Sequence, residues 1–285
     1  SNIVLIMTFN QITIVITSYK SDQKIVKCLK SIDNQCKTII VENSKNRSFK
    51  EKIEKNFTNN ECVIAGENLG YAKGNNLGLS KVKTKYALIL NPDAELENNT
   101  LNNFFNIANT IKTFAIIGPA IQDEKNIKNN VTELTEVNSV KGFAMFLNLE
   151  EFRDVGFFDD NFFIYLEEID LCKRLRKKNK KIFLDPNILI HHQGGSSHEE
   201  QYNFEMELSR NWHWMWSTFY FTKKHKGFLY ALFNVSNKLI SAFIKYIFYS
   251  LTMKSSKKLI YKNRMAGLFN SIMGKSSWYR PFNNN

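Results

Sequence analysis

Five short apolar runs within the first 121 residues, most of them closed by polar residues, constrain this chain more than any other feature of its sequence. They read ITIVIT (12–17), KTIIV (37–41), CVIA (62–65), YALIL (86–90) and FAIIGPAI (114–121). β-Branched and aromatic side chains dominate them. Runs this short and this apolar fit strands that are buried on both faces. Between the runs the spacing turns helical, with Ile25, Val26, Leu29 and Ile32 in residues 22–33 and a second helical segment at 48–57. Strands alternating with helices predict βαβ units. The expected fold is therefore α/β, with a mostly parallel central sheet flanked by helices.

In such sheets ligands bind at the carboxyl ends of strands, near a switch in strand order. Three of the predicted ends carry polar residues: Thr17-Ser18-Tyr19, Glu42-Asn43-Ser44 and Asn91-Pro92-Asp93. Beyond residue 122 the pattern loosens. Residues 140–149 (VKGFAMFLNL) read as a strand, and 157–181 as a loop entering a helix near Tyr165. Residues 182–198 (IFLDPNILIHHQGGSSH) read as one or two strands and a glycine turn, and from about 204 the chain looks helical and aromatic.

Three groups of residues could carry chemistry. Asp93 and Glu95 lie two apart at a strand end, where carboxylates can bind a hard divalent cation. Asp93 could equally cap the next helix. Glu167, Glu168 and Asp170 crowd a helix start, where the dipole favours acids, and Asp170 with Arg174 makes an ordinary i,i+4 pair. A carboxylate beside the apolar FFIYL would have a raised pKa and could act as a general base. His191 and His192 end an apolar strand and point to opposite faces, so at most one belongs to a site. The glycine-rich ENLGYAKGNNLGL (67–79) is neither a dinucleotide fingerprint nor a P-loop. Its glycines permit close backbone approach, and Asn68 and Asn76 could hydrogen-bond a ligand.

Taken together and in this order, VITSYKSD, IIVENS, ENLGYAKGNNLGL, LILNPDAEL, VKGFAMFLN, GFFDDNFFIYLEEIDLCKRLRKK and ILIHHQGGSS resemble glycosyltransferase family 2, in its rhamnosyltransferase-like branch. The resemblance covers residues 11–225. It implies a GT-A (Rossmann-like) fold and an inverting sugar transfer from a nucleotide-diphospho-sugar. It also implies a divalent cation, Mn2+ or Mg2+. On this resemblance Asp93 and His192 are metal ligands, with Glu95 just past the motif. Asn91 stands where the motif's first acid would be. Glu168 is the base, in a place that usually holds Asp, and Glu167 and Asp170 stand beside it. Glu42 meets the pyrimidine, Thr17 and Tyr19 line the same pocket, and Asn68, Gly70 and Asn76 lie on a loop beside the nucleotide. The donor expected is a dTDP- or UDP-sugar, with rhamnose favoured. The acceptor expected is a glycan or lipid-linked hydroxyl in bacterial surface polysaccharide synthesis. Residues 11–220 would form the catalytic domain, and 221–285 a basic amphipathic helical region.

Two other readings use the same residues. A nucleotidyltransferase would bring a Gly-rich basic loop after the first strand, which TSYKSDQK lacks. A non-catalytic relic of the same fold, binding a nucleotide sugar or recruiting a partner through the basic tail, is the alternative that the Asn91 and Glu168 departures leave open.

The net charge of +12 is concentrated at one end: from Phe221 onward there are ten lysines, two arginines and no acid. Residues 227–253 place Asn234, Asn237, Lys238, Ser241, Lys245 and Thr252 on one helical stripe of an otherwise apolar segment. Such a helix either docks on its own protein or lies on an anionic membrane. The expected location is cytoplasmic, peripheral on the inner face of the membrane. Nucleic acid is not an expected partner. No signal peptide and no transmembrane helix are expected. Cys28, Cys36, Cys62 and Cys172 show no metal-site spacing and read as free buried thiols.

Overall fold

The computed structural model describes residues 9–111, 113–121, 133–192 and 200–282. The chain divides into two compact units. The first comprises Ser1–Leu69, Lys73–Phe158 and Leu171–Glu199, and the second Gly70–Ala72, Asp159–Asp170 and Glu200–Asn285.

Unit one is built on a sheet. Its strands are β1 (Ile12–Ser18), β2 (Lys37–Glu42), β3 (Asn60–Ile64), β4 (Tyr86–Leu90), β5 (Ala94–Leu96), β6 (Ile116–Ile121), β7 (Thr135–Glu136), β8 (Ala144–Asn148) and β9 (Ile182–His192). Their order is β3-β2-β1-β4-β8-β6-β9-β5, with β7 paired to β9. The first four strands are parallel, and they are the ones the βαβ alternation predicts. Beyond β4 the sheet is mixed: β8 runs antiparallel to β4 and β6, whereas β6 and β9 are parallel. Ile12, Ile14, Val15 and Ile16 are all fully buried, as a parallel strand covered on both faces requires. Helices α1 (Lys24–Ser31), α2 (Arg47–Asn56) and α4 (Thr100–Thr110) join successive strands. Phe146 sits in the core with the rings of Tyr86, Phe104 and Phe114 stacked near it and Phe105 edge-on. After β3 the chain returns to the other side of β1. The strand order therefore reverses between β1 and β4, which puts the switch point at the ends bearing Thr17 and Asn91.

The glycine-rich stretch corrects the sequence reading. It forms helix α3 (Gly70–Leu79) and not a loop. Glycine lowers helix propensity by about 1 kcal/mol per residue. Here the four-residue repeat puts Gly74 and Gly78 on one face, hard against β1. A Cβ at Gly74 would lie 2.5 Å from Thr17, and one at Gly78 2.4 Å from Val15. Close packing is what the glycines supply.

In unit two, α6 (Asn203–Lys226), α7 (Phe228–Leu251) and α8 (Ser255–Ile272) pack together through Met215, Phe219, Ala231, Val235 and Leu268. Gly267 lets α8 approach α6 so closely that a Cβ would lie 2.1 Å from the Trp212 carbonyl. The boundary expected at residue 220 falls inside α6. The helix expected near Tyr165 is α5 (Glu167–Lys177), which starts in unit two and continues into unit one. The predicted glycine turn after His192 lies outside the described residues.

Candidate functional site

In unit one the turn after β4 is tight. The Asn91 N–H donates to Phe143 and the Ala94 N–H donates back to the Asn91 carbonyl. This places the Asp93 side chain inward, only 4% exposed, with Oδ1 3.3 Å from His192 Nε2. Among the described residues neither oxygen of the Asp93 carboxylate receives a hydrogen bond. Asn91 Nδ2 is 3.4 Å from the same His192 nitrogen, and the imidazole is stacked on Phe143 at 4.5 Å. An ionised carboxylate buried with both oxygens unsatisfied is costly. A divalent cation beside an imidazole would satisfy it, so these residues fit the metal that the resemblance implies. Among the described residues no group of three His, Cys, Asp or Glu side chains comes together.

Glu95 does not complete this pair. It is the exposed residue of β5, set opposite His191 in the β5–β9 register. His191 is 60% exposed and lies 3.1 Å from Glu97. The two histidines therefore face apart, and His192 is the inward one. Cys28 lies under the turn, its thiol 3.7 Å from the Asn91 carbonyl. Burial pushes that thiol far up, with Asp93 and Glu95 adding to the effect.

The end of β2 is held by its own side chains. Glu42 is buried, and its carboxylate accepts from Ser44 Oγ at 2.6 Å and from the N–H groups of Ser44 and Asn46 at 3.1 Å. It thus shapes the loop where the pyrimidine contact was expected. Asn43, which the sequence reading did not select, is buried and bridges to the start of α3. Its amide donates to Asn68 Oδ1 at 3.3 Å, and its Oδ1 accepts from the Leu69 N–H at 3.1 Å. Its position directly after a strand-end acid is the signal that could have found it. Asn76 is engaged with the backbone of Phe158, donating at 2.9 Å and accepting at 3.1 Å. Thr17, next to last in β1, has its hydroxyl buried and without a hydrogen-bond partner among the described residues. Tyr19 is half-buried beside Lys20.

In unit two the backbone is strained just before α5: Tyr165 and Leu166 have φ of 75° and 67°. Non-glycine residues rarely adopt this conformation, and it costs about 1–3 kcal/mol each where the surroundings hold it. Glu167 follows at 4% exposure with Oε2 unsatisfied. Burial, and then the neighbouring Glu168, raise its pKa well above the usual carboxylate range. Tyr71 is pushed up in the same way, by burial and then by the charges of Glu167 and Glu168. Glu168 itself is half-buried. Gly70 enters α3 with φ +79°, against the Phe163 carbonyl, where any side chain would clash.

Asp170 is built differently. It is fully buried and accepts from His225 Nε2 and Lys224 Nζ, each at 2.8 Å. Lys224 also reaches Asp159, which accepts from the Tyr220 hydroxyl. This network ties the loop before α5 to α6, a structural task for a residue that the sequence reading grouped with the catalytic acids. The aromatic cluster of 211–221 divides. Trp212 and Trp216 are buried, whereas Trp214 is 38% exposed and edge-on to Tyr165 at 5.5 Å.

Residues 13–172 match the profile of glycosyl transferase family 2. The chain is 25% identical over 199 residues to the low-salt glycan biosynthesis hexosyltransferase Agl10 of Haloferax volcanii, covering 61% of this chain and 64% of that protein. It therefore spans somewhat under two thirds of that relative's length. Two solved structures share the fold. The mannosyltransferase PcManGT from Pyrobaculum calidifontis, determined with GDP-Man and Mn2+, superposes with a TM-score of 0.59 at 12% identity, over 93% of this chain and 88% of its own. S. aureus TarS 1-349 superposes with a TM-score of 0.57 at 11% identity, over 95% and 93%. TarS 1-349 has also been determined with UDP-GlcNAc. The expected GT-A architecture, with helices at the C-terminal end, is the one observed.

Proposed function

The chain belongs to glycosyl transferase family 2, and from that premise we propose that it transfers a sugar from a nucleotide-diphospho-sugar to an acceptor hydroxyl, inverting the anomeric carbon. The observation that carries this reading is the buried Asp93 carboxylate, with both oxygens unsatisfied, beside His192. Asp93 and His192 would hold a divalent cation. When bound, that cation stabilises the charge that grows on the departing diphosphate.

Glu168 is the base in this reading. An alcohol is a weak nucleophile at neutral pH and must lose its proton as it attacks. Glu168 takes that proton while the acceptor oxygen bonds to the anomeric carbon. The bond from that carbon to the phosphate oxygen breaks, and its electron pair leaves with the nucleoside diphosphate. Two adjacent carboxyls cannot both ionise cheaply. Burial, and then the neighbouring Glu168, favour the protonated form of Glu167, and the half-buried Glu168 is the more accessible of the two. Glu42, Asn43 and Asn68 shape the nucleotide side.

The branch resemblance favours dTDP-rhamnose, with a UDP-hexose as the alternative. It also favours a glycan or lipid-linked acceptor in surface polysaccharide synthesis, met at the inner face of the membrane. The direct test is transfer from a panel of dTDP-, UDP- and GDP-sugars to a simple glycoside, with the product anomer read by NMR. A product of inverted configuration is expected from one donor class. Retention of configuration, or no turnover of any donor in the panel, would overturn the reading.

A further inference from the structure

We propose that the outer face of α7 is a docking surface for an anionic lipid bilayer. The helix has three faces. One carries Ala231, Val235 and Ala242, each no more than 2% exposed, and packs with Met215 and Phe219 of α6 and Leu268 of α8. A second is the polar stripe that includes Asn234, Lys238, Ser241 and Lys245. The third is apolar and uncovered: Leu229, Phe233, Ile240, Ile244, Ile247 and Leu251 recur at helical spacing with exposures of 80, 81, 56, 60, 43 and 79%. Packing within unit two accounts for the first face and leaves the third unexplained. Contiguous apolar stripes of this kind mark interaction surfaces.

Charge selects the occupant. Residues 221–285 contain ten lysines, two arginines and no acid. The stripe runs out through Leu251 and Met253, the latter 89% exposed, directly into Lys254, Lys257, Lys258 and Lys262. Lysines and tyrosines interleave there. Lys257 lies over Tyr249 at 5.4 Å, Lys258 over Tyr246 at 5.8 Å and Lys245 over Tyr261 at 5.4 Å. Amphipathic rings and long-stemmed cations suit the headgroup layer, where the stem lies against apolar surface and the amine meets phosphate. A second copy of this chain would bring the same acid-free charge against itself. A nucleic acid would leave the six apolar side chains wet. No described helix is long and apolar enough to cross a membrane, so α7 would lie in the interface with its apolar face down. Such a surface suits a lipid-linked acceptor, but the docking stands without the sugar-transfer reading.

The test is flotation of the full chain with phosphatidylcholine vesicles, with and without phosphatidylglycerol, at low and high salt. Binding is expected only with the anionic lipid, weakening as salt rises. Phe233→Glu with Ile244→Glu changes two exposed side chains and should keep the circular-dichroism melt while lowering binding by about tenfold or more. Lys254→Gln, Lys257→Gln and Lys258→Gln together should flatten the salt dependence. Absence of vesicle binding, or equal binding by the Phe233/Ile244 variant, would overturn the inference. So would a lipid-free dimer in sedimentation velocity that this variant converts to monomer, since the face would then belong to a second copy.

Discussion

His192 Nε2 lies 3.3 Å from Asp93 Oδ1, held there by the antiparallel register that sets Ala94 opposite His192. Because the imidazole also stacks on Phe143, its ring has a packing role separable from its nitrogen. His192→Phe should therefore fold, yet lose the metal-dependent part of donor affinity. His191→Ala, altering an exposed side chain on the other face, should leave that affinity within about twofold. Isothermal titration of both variants with donor and Mn2+ checks this.

Glu167 and Glu168 should separate in kinetics and in stability. Glu168→Gln should lower kcat by about 10²–10⁴, the usual worth of a general base. Glu167→Gln should retain most activity, because the amide mimics a protonated carboxyl. The pKa of Glu167 is raised in the folded state, so the fold favours its protonated form. That contribution is complete below the unfolded carboxylate pKa and is lost as pH rises through the raised value. The Tm advantage of Glu167→Gln over wild type should accordingly widen from acid to alkaline pH. A constant difference would remove the argument that Glu167 holds the proton.

His213 gives the opposite slope. It donates from Nε2 to the Tyr279 carbonyl at 2.8 Å and is stacked on Phe163 with Trp212 and Tyr279 edge-on, and Nδ1 has no partner among the described residues. Burial, with the Arg280 charge adding to it, lowers its pKa to about 3, against the hydrogen bond to Tyr279. The unfolded chain then binds a proton that the folded chain refuses. Stability from this group is whole above about pH 6.5 and drains away as pH falls toward 3. Urea midpoints should fall across that window, and His213→Gln should flatten the decline.

Asp170 is a structural acid on this account. Asp170→Asn takes the carboxylate away from His225 and leaves Lys224 with Asp159 alone, and should cost about 1–3 kcal/mol in chemical denaturation. Its activity loss should follow the loss of folded protein. Full stability with abolished turnover would instead return Asp170 to the catalytic group.

The legible parts of this chain are those where burial writes itself locally. Strands β1, β2 and β4 are parallel and buried along almost their whole length, so each reads as an apolar run, whereas the edge strand β3 is only partly buried. Helix α3 was hidden because its glycines weaken the helical signal, and their purpose, contact with Thr17 and Val15, exists only once β1 lies beside them. The partners of Asp170 could not be read, since His225 is 55 residues away. Nor could sequence say which of Glu167 and Glu168 is buried, because that depends on the helix phase that the strained Tyr165 and Leu166 set. The amphipathic pattern of α7 was plain, but one apolar face proved to be two, one packed and one bare.

The most direct test of the central claim is a thermal-shift series with dTDP, UDP, GDP and CDP, each with and without Mn2+, on wild type and Asp93→Ala. At about 100 times its Kd a nucleotide adds roughly 2.7 kcal/mol of stability, a readily measured shift. The account predicts stabilisation by one nucleoside diphosphate that requires the metal and vanishes in Asp93→Ala. A shift of equal size without metal and undiminished in Asp93→Ala, or none with any of the four, would contradict it.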